Sequence, residues 1–291
     1  MKINKFTALM LSIVFLLAGC GSESDKKTEE NKKLQVYASF YAMYDFAKLI
    51  GGDRADIYSM CPVGVEPHEF EPKTSDMAKL SEADIFIYNG MGMESWAEKT
   101  ASNSGNDSLL IVEASKGIPN VAENYDPHVW LDPKNALYEM ENIKNAFCEK
   151  DPENADYYND NYKQCEEKTT KLIDDYKTAC AGFSDRNVVT AHEAYGYLCN
   201  AFNLNQTAIE GIQGESDPSP ARMAEIVDFI KTNNIKYIFA EALDTTKTVD
   251  AIAKETGAQI LTLNPFEGDA DGNDYFTVME QNLESLKKAL N

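Results

Sequence analysis

The chain reads as an α/β protein: two β/α lobes with open, mainly parallel sheets, bridged by one long rigid helix. Two observations lead there. Short strand-like runs alternate with segments of helical periodicity on both sides of the middle, the pattern of strands joined by covering helices. The middle itself, from Pro152 to about Ala181, holds no glycine and no further proline. There Ala155, Tyr158, Tyr162, Cys165, Thr169, Leu172, Tyr176 and Ala179 recur at alternating steps of three and four. That is one amphipathic helix, long enough to span a molecule.

The elements follow in order. Leu34–Ser39 alternates like a strand, and Met43, Phe46, Ala47 and Ile50 then mark one helix face. Ala55–Met60, Asp84–Asn89 and Ser108–Glu113 are further short strands, with a helix over Ser75–Ala83. Asp132-Pro133 is an N-cap followed by proline at the first helical position. Ala136, Met140, Ile143 and Phe147 line one face of the helix behind it. Beyond the long helix come strand Asn187–Thr190, helix Ala194–Phe202, strand Gln206–Ile209 and helix Ser219–Asn233. Strand Lys236–Glu241, helix Thr246–Glu255, strand Gln259–Leu263 and a closing helix Tyr275–Leu290 complete the chain. The N-terminal lobe is placed at 34–150, the linking helix at 151–182 and the C-terminal lobe at 183–291.

The first residues speak to compartment. Lys2 and Lys5 precede an apolar run from Phe6 to Leu17, and Leu17-Ala18-Gly19-Cys20 follows. A short charged start, a short apolar core and small residues before a cut describe a secretory signal over 1–19, too short for a membrane span. The Cys after Ala-Gly resembles a bacterial lipobox, which implies lipidation at Cys20 and a membrane-anchored extracytoplasmic protein. Residues 20–33 read as a lipidated end and flexible tether. Against 27 basic side chains stand 48 acidic ones, and removal of the two signal lysines makes the balance more negative still. Such a surface argues against nucleic acid and against an anionic membrane face, and suits a body that attracts cations. Five cysteines remain after Cys20, an odd number without CxxC spacing. They read as buried small hydrophobes.

The chain holds only three histidines, and all sit in loops. His68 follows strand Ala55–Met60, His128 lies in Tyr125-Asp126-Pro127-His128 before a helix, and His192 follows strand Asn187–Thr190. In open α/β sheets ligands bind beyond the carboxyl ends of strands. Three neutral imidazoles suit Zn²⁺, which takes four ligands with nitrogen and sulfur preferred. Leu263-Asn264-Pro265-Phe266-Glu267-Gly268 follows the last strand. Glu267 supplies an anionic oxygen there; Asn264 is the other candidate, with a neutral amide better suited to a turn. Cys61 and Cys199 are zinc-competent by chemistry but are expected in the core. Glu69, Glu193 and Glu241 are candidates to orient imidazoles by hydrogen bonds. Trp130 is expected to pack the cleft wall. Asp271, Asn273 and Asp274 lack the ligand spacing of a calcium loop.

Gly64-Val65-Glu66-Pro67-His68-Glu69-Phe70-Glu71-Pro72 resembles the first ligand motif of the zinc/manganese substrate-binding lipoproteins of ABC importers. Tyr88-Asn89-Gly90-Met91-Gly92-Met93-Glu94 continues that pattern. Asp126-Pro127-His128-Val129-Trp130-Leu131-Asp132-Pro133 and His192-Glu193-Ala194-Tyr195-Gly196-Tyr197-Leu198 look like the second and third motifs. Ile212-Gln213-Gly214, Asp217-Pro218-Ser219-Pro220, Phe239-Ala240-Glu241 and Asn282-Leu283 match as well. The resemblance covers nearly all of 34–291. It implies metal clamped in the cleft between two lobes and handed to an importer membrane subunit. Histidine at the third position marks the zinc branch, whereas manganese-type members carry glutamate. An Asn-Pro-x-Glu branch of the family supports Glu267. Pro119–Asp126 is short and free of the His-rich insertion many zinc members carry.

The expected activity is therefore high-affinity capture of zinc, with His68, His128, His192 and Glu267 as ligands, by a monomer that is not an enzyme. A manganese carrier of the same type, an adhesin and a zinc hydrolase are the alternatives. A hydrolase needs an open coordination position and a base, and no HExxH is present.

Overall fold

The computed structural model describes residues 32–119, 126–212, 218–241, 247–268 and 271–291. The signal segment, Cys20, nearly all of the tether, residues 120–125, Gln213, Gly214, Asp217 and Thr246 lie outside the described residues. Lys33–Asn291 forms one compact unit.

Two four-stranded sheets carry the fold, and every strand pair is parallel. The first contains β1 (Leu34–Ala38), β2 (Ala55–Ser59), β3 (Ile85–Tyr88) and β4 (Leu110–Glu113), in the order β2-β1-β3-β4. The second contains β5 (Asn187–Thr190), β6 (Asn205–Ala208), β7 (Tyr237–Ala240) and β8 (Gln259–Thr262), in the order β6-β5-β7-β8. The two lobes thus repeat one topology, as the alternation of elements predicts. β3, with the run Ile-Phe-Ile-Tyr, is buried at all of its positions, as a parallel strand covered on both faces must be.

The helices fall where periodicity and capping place them. α1 (Tyr41–Gly51) buries Met43, Phe46, Ala47 and Ile50. α2 (Thr74–Leu80) starts one residue earlier and ends three earlier than expected. α3 (Ala97–Ser102) was not anticipated: with six residues it is too short to display a period. α4 (Pro133–Lys150) is capped by Asp132, whose carboxylate accepts from Lys134 N. α5 (Ala155–Gly182) is the long helix, entered through a 3₁₀ turn at Pro152–Asn154. α6 is Gly196–Ala201 and α8 is Lys247–Thr256. Ser219 caps α7 (Pro220–Thr232) and Asp274 caps α9 (Tyr275–Leu290).

The length of α5 has a topological cause. In a parallel sheet all strands start at one edge and end at the other. α5 starts at the amino edge of the first sheet, where Asn161 Nδ2 donates to Ile50 O (2.9 Å) and Asp53 N donates to Tyr157 OH (3.1 Å). Just past its end Ser184 N donates to Leu290 O (2.9 Å), beside the amino edge of the second sheet. Twenty-eight helical residues cover about 42 Å, the reach needed to join two outer edges.

The carboxyl edges meet instead. Trp130 Nε1 donates to Pro265 O, Tyr275 OH to Trp130 O (2.7 Å each), and Tyr275 N to Asp45 Oδ2 (3.0 Å). One apolar core runs through this junction, taking Phe40, Phe46 and Trp130 together with Phe266, Tyr275 and Leu286. Opening the lobes widely would break buried hydrogen bonds and expose this core, so the junction favours small local movement.

Candidate metal centre

All four candidate ligands lie past the carboxyl ends of strands. His68 belongs to the loop between β2 and α2, and His128 to the segment between β4 and α4. His192 follows β5 directly, and Glu267 follows β8. These residues offer ligand atoms that all lie within 4.8 Å of one another. His68 Nε2 is 3.1 Å from His128 Nε2, and His128 Nε2 is 3.0 Å from Glu267 Oε1. Glu267 Oε2 lies 4.0 Å from His68 Nε2, and Oε1 lies 3.9 Å from His192 Nδ1. A tetrahedral zinc site with bonds of about 2.0–2.1 Å has edges of about 3.4 Å. The observed separations bracket that edge.

The polar bookkeeping also fits a cation. Glu267 is 4 % exposed, and neither carboxylate oxygen makes an aligned hydrogen bond. The 3.0 Å approach to His128 is close in distance only. Alignment decides hydrogen-bond strength, so this contact leaves the carboxylate unsatisfied. Buried carboxylate oxygens left without donors are costly, and two imidazole nitrogens 3.1 Å apart need a shared proton or a cation between them. Convergent donors that do not satisfy one another are what a metal ion would satisfy.

Each titratable group is shifted by this crowding. Burial lowers His68, with repulsion from the other two imidazoles adding to it against the pull of Glu267, and its pKa falls to about 4. Burial also works against charge on His128 and His192. For His128 the Asp126 and Glu267 carboxylates outweigh it and raise the pKa. For His192, Glu241 and Glu267 outweigh it and raise the pKa to about 10. Burial alone would raise Glu267, but the three imidazoles hold its carboxyl well below the usual range.

The structure separates the carboxylates that orient these rings from those that do not. Glu241 Oε1 lies 3.0 Å from His192 Nδ1, while His192 Nε2 donates to Ile212 O (2.7 Å). Glu69 and Glu193 are exposed and make no hydrogen bond to a histidine ring among the described residues, so the expectation for these two is corrected. The brace of His128 is Asp126, which the sequence reading had not assigned. Its Oδ1 lies 2.7 Å from His128 Nδ1 and accepts from His128 N (2.9 Å). Asp126 is close in sequence, and the Asp-x-His spacing was the available signal. Gly196 of α6 stands so near that an added Cβ would lie 2.6 Å from Asp126 Oδ2.

The remaining expectations also resolve. Asn264 is a turn residue, its Oδ1 accepting from Phe266 N (2.7 Å). Trp130 is fully buried with its ring 5.3 Å from that of His128. Cys61 and Cys199 are buried free thiols, pushed up to about 12 chiefly by burial. Cys148 alone among the described cysteines is half-buried. Asp274 closes the acidic loop as a helix cap, accepting from Thr277 N (2.9 Å).

Two parallel-sheet lobes closing on a buried set of three imidazoles and one carboxylate define a metal-ion-binding transport component. The chain belongs to the ZnuA family, zinc-uptake complex component A, periplasmic, whose model matches residues 36–289. The high-affinity zinc uptake system protein ZnuA of Bacillus subtilis is 34% identical over 299 residues, covering 94% of each chain. The Zn(II)-bound ZnuA-like domain of Streptococcus pneumoniae AdcA is 30% identical with a TM-score of 0.80, covering 89% of this chain and 99% of that one. The laminin-binding protein Lmb of Streptococcus agalactiae, described as bifunctional with adhesin and metal transporting activity, is 35% identical with a TM-score of 0.84. That match covers 89% of this chain and all of Lmb. The family expected from the motifs is thereby established.

Proposed function

We propose that His68, His128, His192 and Glu267 are the ligands through which this protein captures zinc outside the cytoplasm for delivery to an ABC importer. The observation that carries the assignment is the convergence of four buried donors within 4.8 Å, two carboxylate oxygens among them lacking hydrogen-bond partners. Three nitrogens and one carboxylate favour zinc over manganese, which prefers oxygen-rich sites. Four protein donors fill a tetrahedral zinc and leave no position for a reactive water, so the site is one for capture rather than catalysis.

The cut before Cys20, its lipidation and a monomeric body with lobes at 34–150 and 183–291 belong to the same reading. Membrane attachment is assigned to Cys20, which follows the Leu17-Ala18-Gly19 lipobox-like run; among the described residues no helix is long and apolar enough to cross a membrane. The test is metal content and competitive zinc and manganese titration of residues 21–291, alongside His192→Ala and Glu267→Ala. One tight zinc per chain, lost in His192→Ala and weakened in Glu267→Ala, is expected. Wild-type affinity in both variants would refute the ligand set. Likeness to Lmb favours a second role in laminin binding, checked by adhesion of the zinc-loaded protein to immobilised laminin.

A further inference from the structure

The Tyr88–Glu94 motif singled out in the sequence contributes no candidate ligand, yet it places two polar side chains in the interior of the first lobe. Asn89 is fully buried and Glu94 nearly so. Glu94 folds the motif back on itself: Oε1 accepts from Asn89 N (2.8 Å) and Ser39 Oγ (2.5 Å), and Oε2 accepts from Gly90 N (3.0 Å). Thus the ends of β1 and β3 are tied to one carboxylate.

What this fold-back presents is the Asn89 carboxamide. Its Nδ2 donates to Gly90 O (2.9 Å) and to Pro127 O (3.0 Å). Two carbonyl acceptors fix which end of the amide is nitrogen. Among the described residues its Oδ1 is buried without a hydrogen-bond partner, so the group acts as a donor alone. Pro127 O is the acceptor that matters. It also accepts from Val129 N (2.8 Å), opening the 3₁₀ turn Val129–Leu131. The Pro127–His128 peptide is therefore held from one side by Asn89 and from the other by the turn that follows. His128 N and the His128 ring in turn meet Asp126.

We propose that Asn89, braced by Glu94, is a positioning residue for zinc binding: it holds the peptide that carries His128 so that the ring faces the other ligands before metal arrives. Preorganised donors bind more tightly because less ordering remains to be done on binding, and partners behind the ligands of metal sites commonly matter 10–100-fold. The inference rests on the ligand reading above, since it acts through His128.

The test uses the whole secreted body, residues 21–291, as wild type, Asn89→Ala, Ser115→Ala, His128→Ala and the Asn89→Ala/His128→Ala pair. Ser115 is the packing control. It adjoins Asn89 through Ser115 N to Asn89 O (3.1 Å), is fully buried, and among the described residues its hydroxyl has no hydrogen-bond partner. Zinc affinity is read by competition with chelators of graded strength, and zinc release by stopped flow. Asn89→Ala is expected to weaken zinc on the order of tenfold, mostly through faster release, while Ser115→Ala binds as wild type. In the His128→Ala background the Asn89 substitution is expected to cost nothing further, the signature of two residues acting as one unit. Amide exchange of the metal-free proteins supplies a readout independent of zinc. Asn89→Ala should speed exchange in Val129–Leu131 and leave α9 unchanged. Equal losses in Asn89→Ala and Ser115→Ala, or an Asn89 effect undiminished without His128, would overturn the inference. Unaltered exchange in Val129–Leu131 would overturn it too, even if His128→Ala binds zinc too weakly for the pair to be compared. Intact zinc binding in His128→Ala would instead overturn the ligand reading on which it rests.

Discussion

His68 and His128 bring their Nε2 atoms to 3.1 Å, yet the regions that deliver them are built in opposite ways. His128 sits on a segment buried without interruption from Asp126 to Leu131. Its ring is clamped by Asp126, lies against Trp130, and follows a peptide pinned by Asn89. The loop that carries His68 is open to solvent along Pro62–Val65, with Val63 73% exposed. Its hold on His68 is one 3.3 Å hydrogen bond from His68 N to Glu66 Oε1, and among the described residues no carboxylate clamps the ring. Cleft-forming local structure of this kind separates an anchor from a closure. The metal can meet His128 in its final position, whereas His68 follows a stretch, Pro62–Val65, that lies open to solvent and is the freer of the two to move.

Deleting the anchor should have the largest effect. His128→Ala is expected to weaken zinc by more than the roughly hundredfold that outlying partners can cost, and by more than His68→Ala does. Competition titrations of the two variants check this. The anchor–closure contrast fails if His68→Ala is the more damaging. Calorimetric or thermal shifts give a second view, because zinc at about 1,000 times its Kd stabilises the native state by about 4.1 kcal/mol. A hundredfold loss would cut that stabilisation to about 1.4 kcal/mol at the same zinc concentration, and His128→Ala should retain no more than this.

Weakening the clamp without removing the ligand comes next. Asp126→Asn keeps the shape but loses the charge that draws a proton to His128 Nδ1, and with it the fixed tautomer. A loss of about 10–100-fold in zinc affinity is expected. An unchanged Kd would show that the clamp is ornamental.

Proton release sets His68 apart from a third ligand, His192, by chemistry. His68, lowered to about 4, is already neutral at neutral pH. His192, raised to about 10, carries a proton that zinc must displace. The sign follows: without metal, the stability His192 contributes is complete below about pH 6.5 and is lost as pH rises towards about 10. Zinc affinity moves the other way and falls as pH falls, by about tenfold per unit for each proton displaced. Calorimetry at pH 7.5 in buffers of different ionisation enthalpy should report at least one proton released per zinc. No release would contradict the protonated His192.

Much of this was legible in the sequence, for reasons that differ by element. α1 and α4 show whole periods and bury the faces those periods mark. The histidines were readable because only three exist and strands precede the loops that hold them. α3 was not, having six residues. Strands were read one residue long at several ends because the ladder continues past them: Met60 N still donates to Ala38 O, and Ser39 N to Ile87 O (2.8 Å each). Glu69 and Glu193 looked as eligible as Glu241, since adjacency to a histidine in sequence says nothing about which way a turn aims a carboxylate. Asn89 meets Pro127 across 38 positions, and no local pattern encodes a contact of that separation.

The smallest expected effect tests whether the two lobes share the anchor. Asp126 and His128 belong to the first lobe, but the space beside the Asp126 carboxylate is kept free by Gly196 of the second. A Cβ there would lie 2.6 Å from Asp126 Oδ2, closer than real Cβ contacts allow, and the carboxylate has to give way. Because Oδ1, and not Oδ2, meets His128, a small rotation can relieve the contact while keeping part of the clamp. Gly196→Ala should therefore weaken zinc by less than the tenfold that losing an outlying partner typically costs. The control is Gly211→Ala, where an added Cβ meets nothing within 4 Å among the described residues, and zinc affinity should be unchanged. A loss in Gly196→Ala that persists in the Asp126→Asn background would mean that the glycine acts on the lobe junction as a whole. A loss that disappears there assigns its role to the clamp on His128, and makes the anchor a joint product of both lobes.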